Sequence, residues 1–326
     1  MQAIVEPETA GDPTSDQKWV RSSLRTLSQC LTATGHAVSP PTVGRLLKTL
    51  EYALHVNAKK IEARAHHPDR NAQFDHIAQQ RQAFTATGQP IISVDTKKKE
   101  LIGAFKNNGR AWSKEAEAVN VHDFLSEGTG RAVPYGIYDL THQRGTVYVG
   151  SSGDTAQLAV DAIARWWQTQ GQHAFPQAEE LLILADGGGS NDARSRLWKQ
   201  QLQEHLCDGL GLRVTVCHYP TGCSKWNPIE HRLFGPISLN WAGKPLRTVE
   251  TMLAYIRGTT TASGLEVRAE RLDGVYPTGQ RIAKREVKTW DVRKHDVCPA
   301  WNYTIYPRSG AAANPAAMPP SREVIL

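Results

Sequence analysis

The chain has 326 residues, 40% hydrophobic and 21% charged, with a formal net charge of +6 at pH 7; these figures suit a soluble protein of one large or two ordinary domains, and the basic excess points weakly to nucleic acid. No apolar run approaches the ~18–20 residues that span a bilayer, and the acidic, polar start MQAIVEPETAGDPTSDQ argues against a signal or transit peptide. Cys30, Cys207, Cys217, Cys223 and Cys298 are scattered with no CxxC pair, which argues for reduced thiols in the cytoplasm rather than disulfides or zinc.

Residues 1–16 read as a leader. From Trp19, apolar positions Val20, Leu24, Leu27 and Leu31 recur at helical spacing, and Gly35 is placed to stop the helix. Ser39 and Pro40 then open a second helix with Val43, Leu46, Leu47 and Leu50 on its apolar face. The pair predicts a helix-turn-helix whose second helix presents Thr42, Arg45 and Lys48 to DNA. Residues 17–64 carry eight Lys or Arg against two Glu, so this segment alone matches the excess charge of the chain. A linking helix is expected from Asp69 to Thr87, closing a first region at residues 17–88.

From Gln89 the texture changes. IISVDTKKKELIGAF reads as strand, turn, strand; AVPYGIYDL and GTVYVGSS are further strands around the turn HQRG. A helix with Leu158, Ala159, Ala162, Ile163, Trp166 and Trp167 on one face follows; its tryptophans belong to the core. ELLILADG is an unbroken apolar strand, buried on both sides. A helix ending near Gly211, the strand LRVTVCHYP, the loop TGCSKWN and the helix PIEHRLFGPISLNW complete a mixed α/β order, β-β-β-α-β-α-β-α. The core is placed at 89–265, a C-terminal extension at 266–307, and a disordered tail at 308–326.

Three carboxylates stand at element ends: Asp95 leaves the first strand, Asp186 leaves the fourth, and Glu230 begins the last helix. Carboxylates are the hard oxygen ligands that Mg²⁺ takes, and two such ions activate phosphoryl transfer. A lone Asp after a strand is as easily a turn residue; the Trp-Asn-Pro-Ile-Glu run at a helix start is the more specific element. Trp226 and Asn227 are expected to shape the loop delivering Glu230, and Pro228 to fix the helix start. Gly187, with Gly188 and Gly189, suggests a close backbone approach. Lys97, Lys98 and Lys99 are placed to meet DNA phosphates, or form a solvated turn. Asp192 reads as a helix cap, Asp139 as the chief rival ligand, His66 and His67 as surface residues, and His231 as at most a positioning group.

SVDTKKKELIG, ADGGGSND, and SKWNPIEHRLF followed by ISLNW resemble the DDE transposases of the Rhodopirellula transposase family. NVHDF, VPYGIYDL, VTVCHYP, TTTASGL and WNYTIYP resemble it as well, so the likeness runs from about residue 4 to 307. The resemblance implies a ribonuclease-H-like core that cleaves DNA and transfers strands, with Asp95, Asp186 and Glu230 as the acidic triad. It implies two Mg²⁺ ions, replaceable by Mn²⁺, with Asp95 bridging both. It also implies double-stranded DNA as partner, at the element ends and at the target, a homo-oligomer on DNA, no membrane, and a cytoplasmic, nucleoid-associated location. The family usually carries further helical DNA-binding sequence upstream. The alternatives are therefore a truncated derivative that binds DNA without transposing, or a ribonuclease-H-like nuclease.

Overall fold

The computed structural model describes residues 9–11, 18–20, 22–52, 68–110, 118–120 and 128–309. His66, His67 and the tail from residue 310 lie outside these. The chain divides into two units, Met1–Glu62 and Ala63–Leu326.

In the first unit, strands β1 (Thr9–Gly11) and β2 (Lys18–Val20) pair antiparallel, Thr9 facing Val20. Trp19 and Val20 therefore belong to a strand, not to the start of the first helix. That helix, α1 (Leu24–Ala33), begins where Ser23 Oγ accepts from Thr26 N at 3.1 Å, a side-chain N-cap. It ends as expected at Gly35, whose φ of +88° glycine adopts without strain. Helix α2 (Pro40–Thr49) follows, with Ser39 at its N-cap and Pro40 at its first position. It stops at Thr49, with Leu50 as its C-cap, and Glu51 just beyond takes a φ of +63°. Leu27, Leu31 and Val43 form the buried seam between the two helices. Arg45 and Lys48 are exposed, and Thr42, half-buried, accepts from Arg45 at 3.2 Å.

The second unit is a mixed sheet with helices on both faces. Helix α3 (Arg70–Ala86) leads into β3 (Ile91–Thr96), β4 (Glu100–Ile102), β5 (Gly130–Asp139) and β6 (Arg144–Gly150). Helix α4 (Ala156–Trp166) precedes β7 (Glu180–Ala185), and α5 (Arg196–Gln201) precedes β8 (Arg213–His218). Helices α6 (Gly235–Asn240) and α7 (Val249–Arg257) are followed by β9 (Glu266–Leu272), β10 (Val292–Lys294) and β11 (Asn302–Ile305). The strand order is β10-β11-β8-β7-β3-β5-β6-β9, with β4 paired to β5. Strand β3 pairs antiparallel with β5 and parallel with β7, which pairs parallel with β8. Residues 266–307 thus supply strands at both edges of the sheet.

Alternation along the strands fixes what each face buries. Ile92, Val94, Leu181, Ile183, Val214 and Val216 pack against α4 and the helical stretch from α5; Trp166 and Trp167 are buried there, 3% and 5% exposed, as core residues. Ile91, Leu182 and Leu184 point the other way, against Ile77 and Phe84 of α3. That second face continues under Ile229, Leu233 and Phe234, beside α6 and α7. Two helical stretches pass into π turns, Trp167–Gly171 after α4 and Leu202–Asp208 after α5. Glu230–Phe234 is also π-helical and runs into α6. There Pro236 has no N–H to return to Arg232, which leaves the wider turn. Among the described residues no helix is long and apolar enough to cross a membrane.

Candidate active site

Period two explains why the first two carboxylates meet. Ser93 lies on the α3 face of β3, so Asp95, two residues on, emerges on the same face. Leu184 lies on that face of β7, so Asp186 does too. Register pairs Ser93 with Leu184 and Val94 with Ala185; the next pair across the strand ends is Asp95 and Asp186.

Glu230 is brought to the same face by Asn227. Its side chain is fully buried: Nδ2 donates to Val94 O at 3.3 Å and to Asp186 Oδ1 at 3.4 Å. Ser93 Oγ donates to Asn227 Oδ1 and accepts from Ile229 N. The Asn227 carbonyl accepts from Glu230 N at 3.1 Å. Pro228 occupies the first helical position, where no N–H is required. One asparagine therefore ties β3, Asp186 and the start of the Glu230 helix together. Trp226, beside it, is 54% exposed and its side chain makes none of these hydrogen bonds.

The electrostatics reflect the crowding. Burial, then the negative charge of Asp186, pushes Asp95 up to about 8; the Thr96 amide N–H on its Oδ1 at 2.7 Å opposes the shift, and Glu230 and Asp154 add to it. Burial, then Glu230, pushes Asp186 up to about 6, with the Asn227 amide opposing. Among the described residues neither aspartate makes an ion pair, so repulsion is not relieved by the chain itself. Oxygen donors desolvated together in this way fit hard divalent cations. Among the described residues no three acidic, histidine or cysteine side chains close around a single point as a ready-made cage. The arrangement fits ions that share carboxylates and complete their shells with water and phosphate.

A cleft of about 300 Å³ opens here, lined by Asp95, Asp186, Asp154 and the lysine turn. Lys97 is committed elsewhere: its Nζ lies 3.1 Å from Glu100 and 4.7 Å above the Trp241 ring. Lys99 Nζ stands 3.9 Å from Asp154, and Lys98 is exposed. Gly189 needs its glycine for a φ of +65°. A Cβ on Gly187 would meet Tyr219 O at an ordinary 3.6 Å, so no close approach explains that position.

Asp139, the rival ligand, is not in the site. It pairs with Ile92, at the opposite end of β3 from Asp95. Its carboxylate accepts from Thr141 N, His142 N and the His142 ring, closing the β5–β6 turn. Asp192 accepts from Arg194 N at 2.8 Å, and the cap of α5 is Ser195 instead. His231 bonds the Lys225 carbonyl at 2.6 Å.

Several residues were not singled out from the sequence. Asp154, just before α4, accepts from Thr96 Oγ1 at 2.9 Å, and Thr96 also meets Ser190 Oγ at 2.9 Å. Asn191, fully buried, accepts from Tyr135 Oη at 2.8 Å. Behind Asp186 runs a buried relay: Trp198 Nε1 donates to Tyr303 Oη at 2.9 Å, Tyr303 donates to His218 Nε2 at 3.1 Å, and His218 Nδ1 donates to the Asp186 carbonyl at 3.0 Å. Burial lowers the His218 imidazole to about 4, which keeps it neutral, as that relay requires. Polar residues inside apolar strands were the only sequence signal for this relay.

A pH prediction follows from Asp95. Its folded value is raised above the ordinary 3.8, so its stabilising share is complete below about pH 4 and is lost as pH rises through about 8. Without divalent metal, Asp95→Asn should therefore gain melting temperature relative to wild type between pH 5 and pH 8, by several degrees. Mg²⁺ should shrink that gap. Scanning calorimetry of both proteins at the two pH values checks it; a gap independent of pH and metal would contradict it.

Three solved structures are similar to the chain: the Mos1 transposase paired-end complex with left transposon end (12% identity, covering 78% of this chain and 68% of that one, TM-score 0.43), the Mos1 mariner paired-end complex with Mn (13%, 72% and 65%, 0.41) and the Mos1 strand transfer complex (12%, 78% and 67%, 0.41). At that distance the family assignment owes nothing to them. Among curated proteins none matches the chain in sequence. The sequence model of the Rhodopirellula transposase DDE domain matches residues 1–307. The chain belongs to that family, the divalent-metal-dependent DDE transposases that cleave DNA and transfer its strands.

Proposed function

We propose that Asp95, Asp186 and Glu230 are the catalytic acids of this transposase and that the sheet carrying them is a ribonuclease-H-like core. The observation that supports this best is the Asn227 side chain, which bonds Val94 and Asp186 while its carbonyl caps the turn that starts at Glu230. The core reading rests on strand order: antiparallel β6-β5-β3 continued by parallel β7 and β8.

The three carboxylates would hold two divalent ions, Mg²⁺ or Mn²⁺, whose charge when bound activates the attacking oxygen and steadies the leaving one. Asp95, raised by the charges of both Asp186 and Glu230, would hold the ions together with them. Asn227 keeps Asp186 and Glu230 in fixed relation, so their positions cost no reorganisation when DNA arrives. Lys98 and Lys99 face the cleft and are placed to meet phosphates. Hydrolysis at an element end frees a 3′-hydroxyl, which then attacks target DNA in line. The enzyme acts on double-stranded DNA as a homo-oligomer, so that two ends are joined in one complex. The cleavage assays described in the Discussion test this reading.

The helix pair α1–α2 is read as a DNA-binding helix-turn-helix, because α2 carries Arg45 and Lys48 on its exposed side. Changing both to Ala should weaken DNA binding and flatten its salt dependence by about two phosphate contacts, each worth roughly 0.9 in the log–log slope. Anisotropy titrations across a salt series give the slope. An unchanged affinity and slope would make the pair a structural element only.

A further inference from the structure

Asp154 lines the cleft with Asp95 and Asp186, yet nothing in its local structure calls for a carboxylate there. Helix α4 is capped by its neighbour: Thr155 Oγ1 accepts from Leu158 N at 3.4 Å. The ion pair with Lys99 is long, at 3.9 Å, and that lysine side chain is 46% exposed, so the pair contributes little. The Asp154 charge also adds to the repulsion on Asp95. The residue thus has a cost and no local use.

The hydrogen bonds supply a use. Thr96 Oγ1 donates to Asp154 Oδ1 at 2.9 Å. A hydroxyl carries one proton, so Ser190 Oγ must in turn donate to Thr96 Oγ1, at 2.9 Å. The Thr96 amide meanwhile donates to Asp95 Oδ1 at 2.7 Å. Thr96 therefore holds Asp95 with its backbone and is itself held by Asp154 through its side chain. Ser190, 4% exposed, belongs to the turn Gly189–Asn191 that follows Asp186. The ends of three strands meet at one hydroxyl: β3 through Thr96, β6 through Asp154 and β7 through Ser190. The loop that carries Asp154 is itself fixed. Tyr276 N donates to Ser152 Oγ at 3.1 Å, and Gly153 packs so closely on the Tyr276 carbonyl that a Cβ would not fit.

We propose that Asp154 is a positioning residue for the reaction: through Thr96 it fixes the Asp95 carboxylate for metal, and through Ser190 it fixes the loop that follows Asp186. Asn227 ties β3 and Asp186 to the Glu230 segment; Asp154 ties Asp95 to the loop beyond Asp186. Its part is to accept a hydrogen bond, and it acts without touching the ions. Outer hydrogen bonds of this kind orient metal ligands, and removing one costs about 10–100-fold in metal affinity. This rests on the assignment of Asp95, Asp186 and Glu230 as the reactive acids.

The test is Mn²⁺ binding to the full chain by calorimetry, with cleavage of a labelled oligonucleotide at limiting Mg²⁺ beside it. Asp154→Ala, and Thr96→Val, which keeps the amide and loses the hydroxyl, should each bind Mn²⁺ about ten-fold more weakly. The double variant should lose no more than either alone, within about two-fold, because both changes break one link. In cleavage the loss should fall on kcat, with KM for DNA within about two-fold of wild type. Asp154→Asn, whose amide oxygen can still accept from Thr96, should recover most of the Mn²⁺ affinity. Losses that multiply in the double variant, wild-type Mn²⁺ affinity in both single variants, or failure of Asn to rescue would each overturn the proposal. Thr96→Val changes no charge and keeps the side-chain shape, so it and Asp154→Asn decide the matter if Asp154→Ala does not fold. Asp95→Asn in the same calorimetry separates the two readings. If it binds Mn²⁺ like wild type, the site assignment fails, and the role of Asp154 with it. If it binds weakly while Asp154→Ala and Thr96→Val bind like wild type, only the role of Asp154 fails.

Discussion

Asp186→Asn should abolish DNA cleavage, by about a thousand-fold or more, while leaving DNA affinity within a few-fold of wild type. The amide keeps the shape of the carboxylate and can still meet the Asn227 side chain. What it removes is the negative charge that, under the proposed assignment, holds a divalent ion at this position. Groups that act on charge developing in the transition state typically cost 10²–10³ when one is deleted, and a metal ligand shared by the whole reaction costs at least as much. Removing the charge should also ease the repulsion on Asp95, whose second-largest perturbation comes from Asp186. The variant should therefore fold at least as well as wild type in the absence of metal. A gel assay with a labelled oligonucleotide in Mg²⁺ reads cleavage, and anisotropy in Ca²⁺ reads binding. Retained cleavage would place the chemistry elsewhere.

Gly136→Val should lower both stability and activity, although Gly136 touches no substrate. On β5 it lies directly opposite Asp95. A Cβ added there would come within 2.5 Å of the Phe234 ring and 2.9 Å of Ile229 Cδ1, so something must shift. Both residues belong to the segment that delivers Glu230. Overpacking of this kind costs about 1–3 kcal/mol, which is several degrees in melting temperature for a chain of this size. Moving Glu230 by about 1 Å would cost on the order of 10²-fold in rate. Gly188→Ala is the control: an added Cβ there meets nothing within 4 Å, and its backbone lies in the extended region. It should leave the melting temperature unchanged. If Gly136→Val cleaves at the wild-type rate, the close packing of β5 against the Glu230 segment does not set the geometry of the acids.

The placement of Asp95 and Asp186 is legible because strand periodicity is strict. Ser93 is polar within an apolar run, and it marks the face on which Asp95 emerges. For Glu230 the signal is Asn-Pro just before a helix, which gives both the capping carbonyl and a helix start with no N–H to satisfy. The starts of α1 and α2 differ in how well local chemistry predicts them. Ser39-Pro40 gave the second correctly, whereas the periodicity around Val20 and Leu24 ran past the true start at Ser23.

What the sequence hid is what depends on distant pairing. Asp154 reaches the site through Thr96, 58 residues away, and it stands in an ordinary loop. The support behind Asp186 is built from Trp198, His218 and Tyr303, on three separate elements. Tyr303 belongs to β11, which pairs with β8 across 89 residues at Thr215–Thr304. No periodicity carries that information. Asp139 shows the opposite error: a carboxylate on a strand near the core, with the right chemistry, proves to close a turn at the far end of β3.

The most direct test of the acidic site is Mn²⁺ titration of the metal-free protein by calorimetry, for wild type, Asp95→Asn and Asp186→Asn. Wild type should bind Mn²⁺ with proton release near pH 7, since Asp95 is held up near 8 without metal. Each variant should bind at least about ten-fold more weakly while unfolding cooperatively. Mn²⁺ binding of wild-type strength in both variants would contradict the assignment of these aspartates as the metal-holding acids.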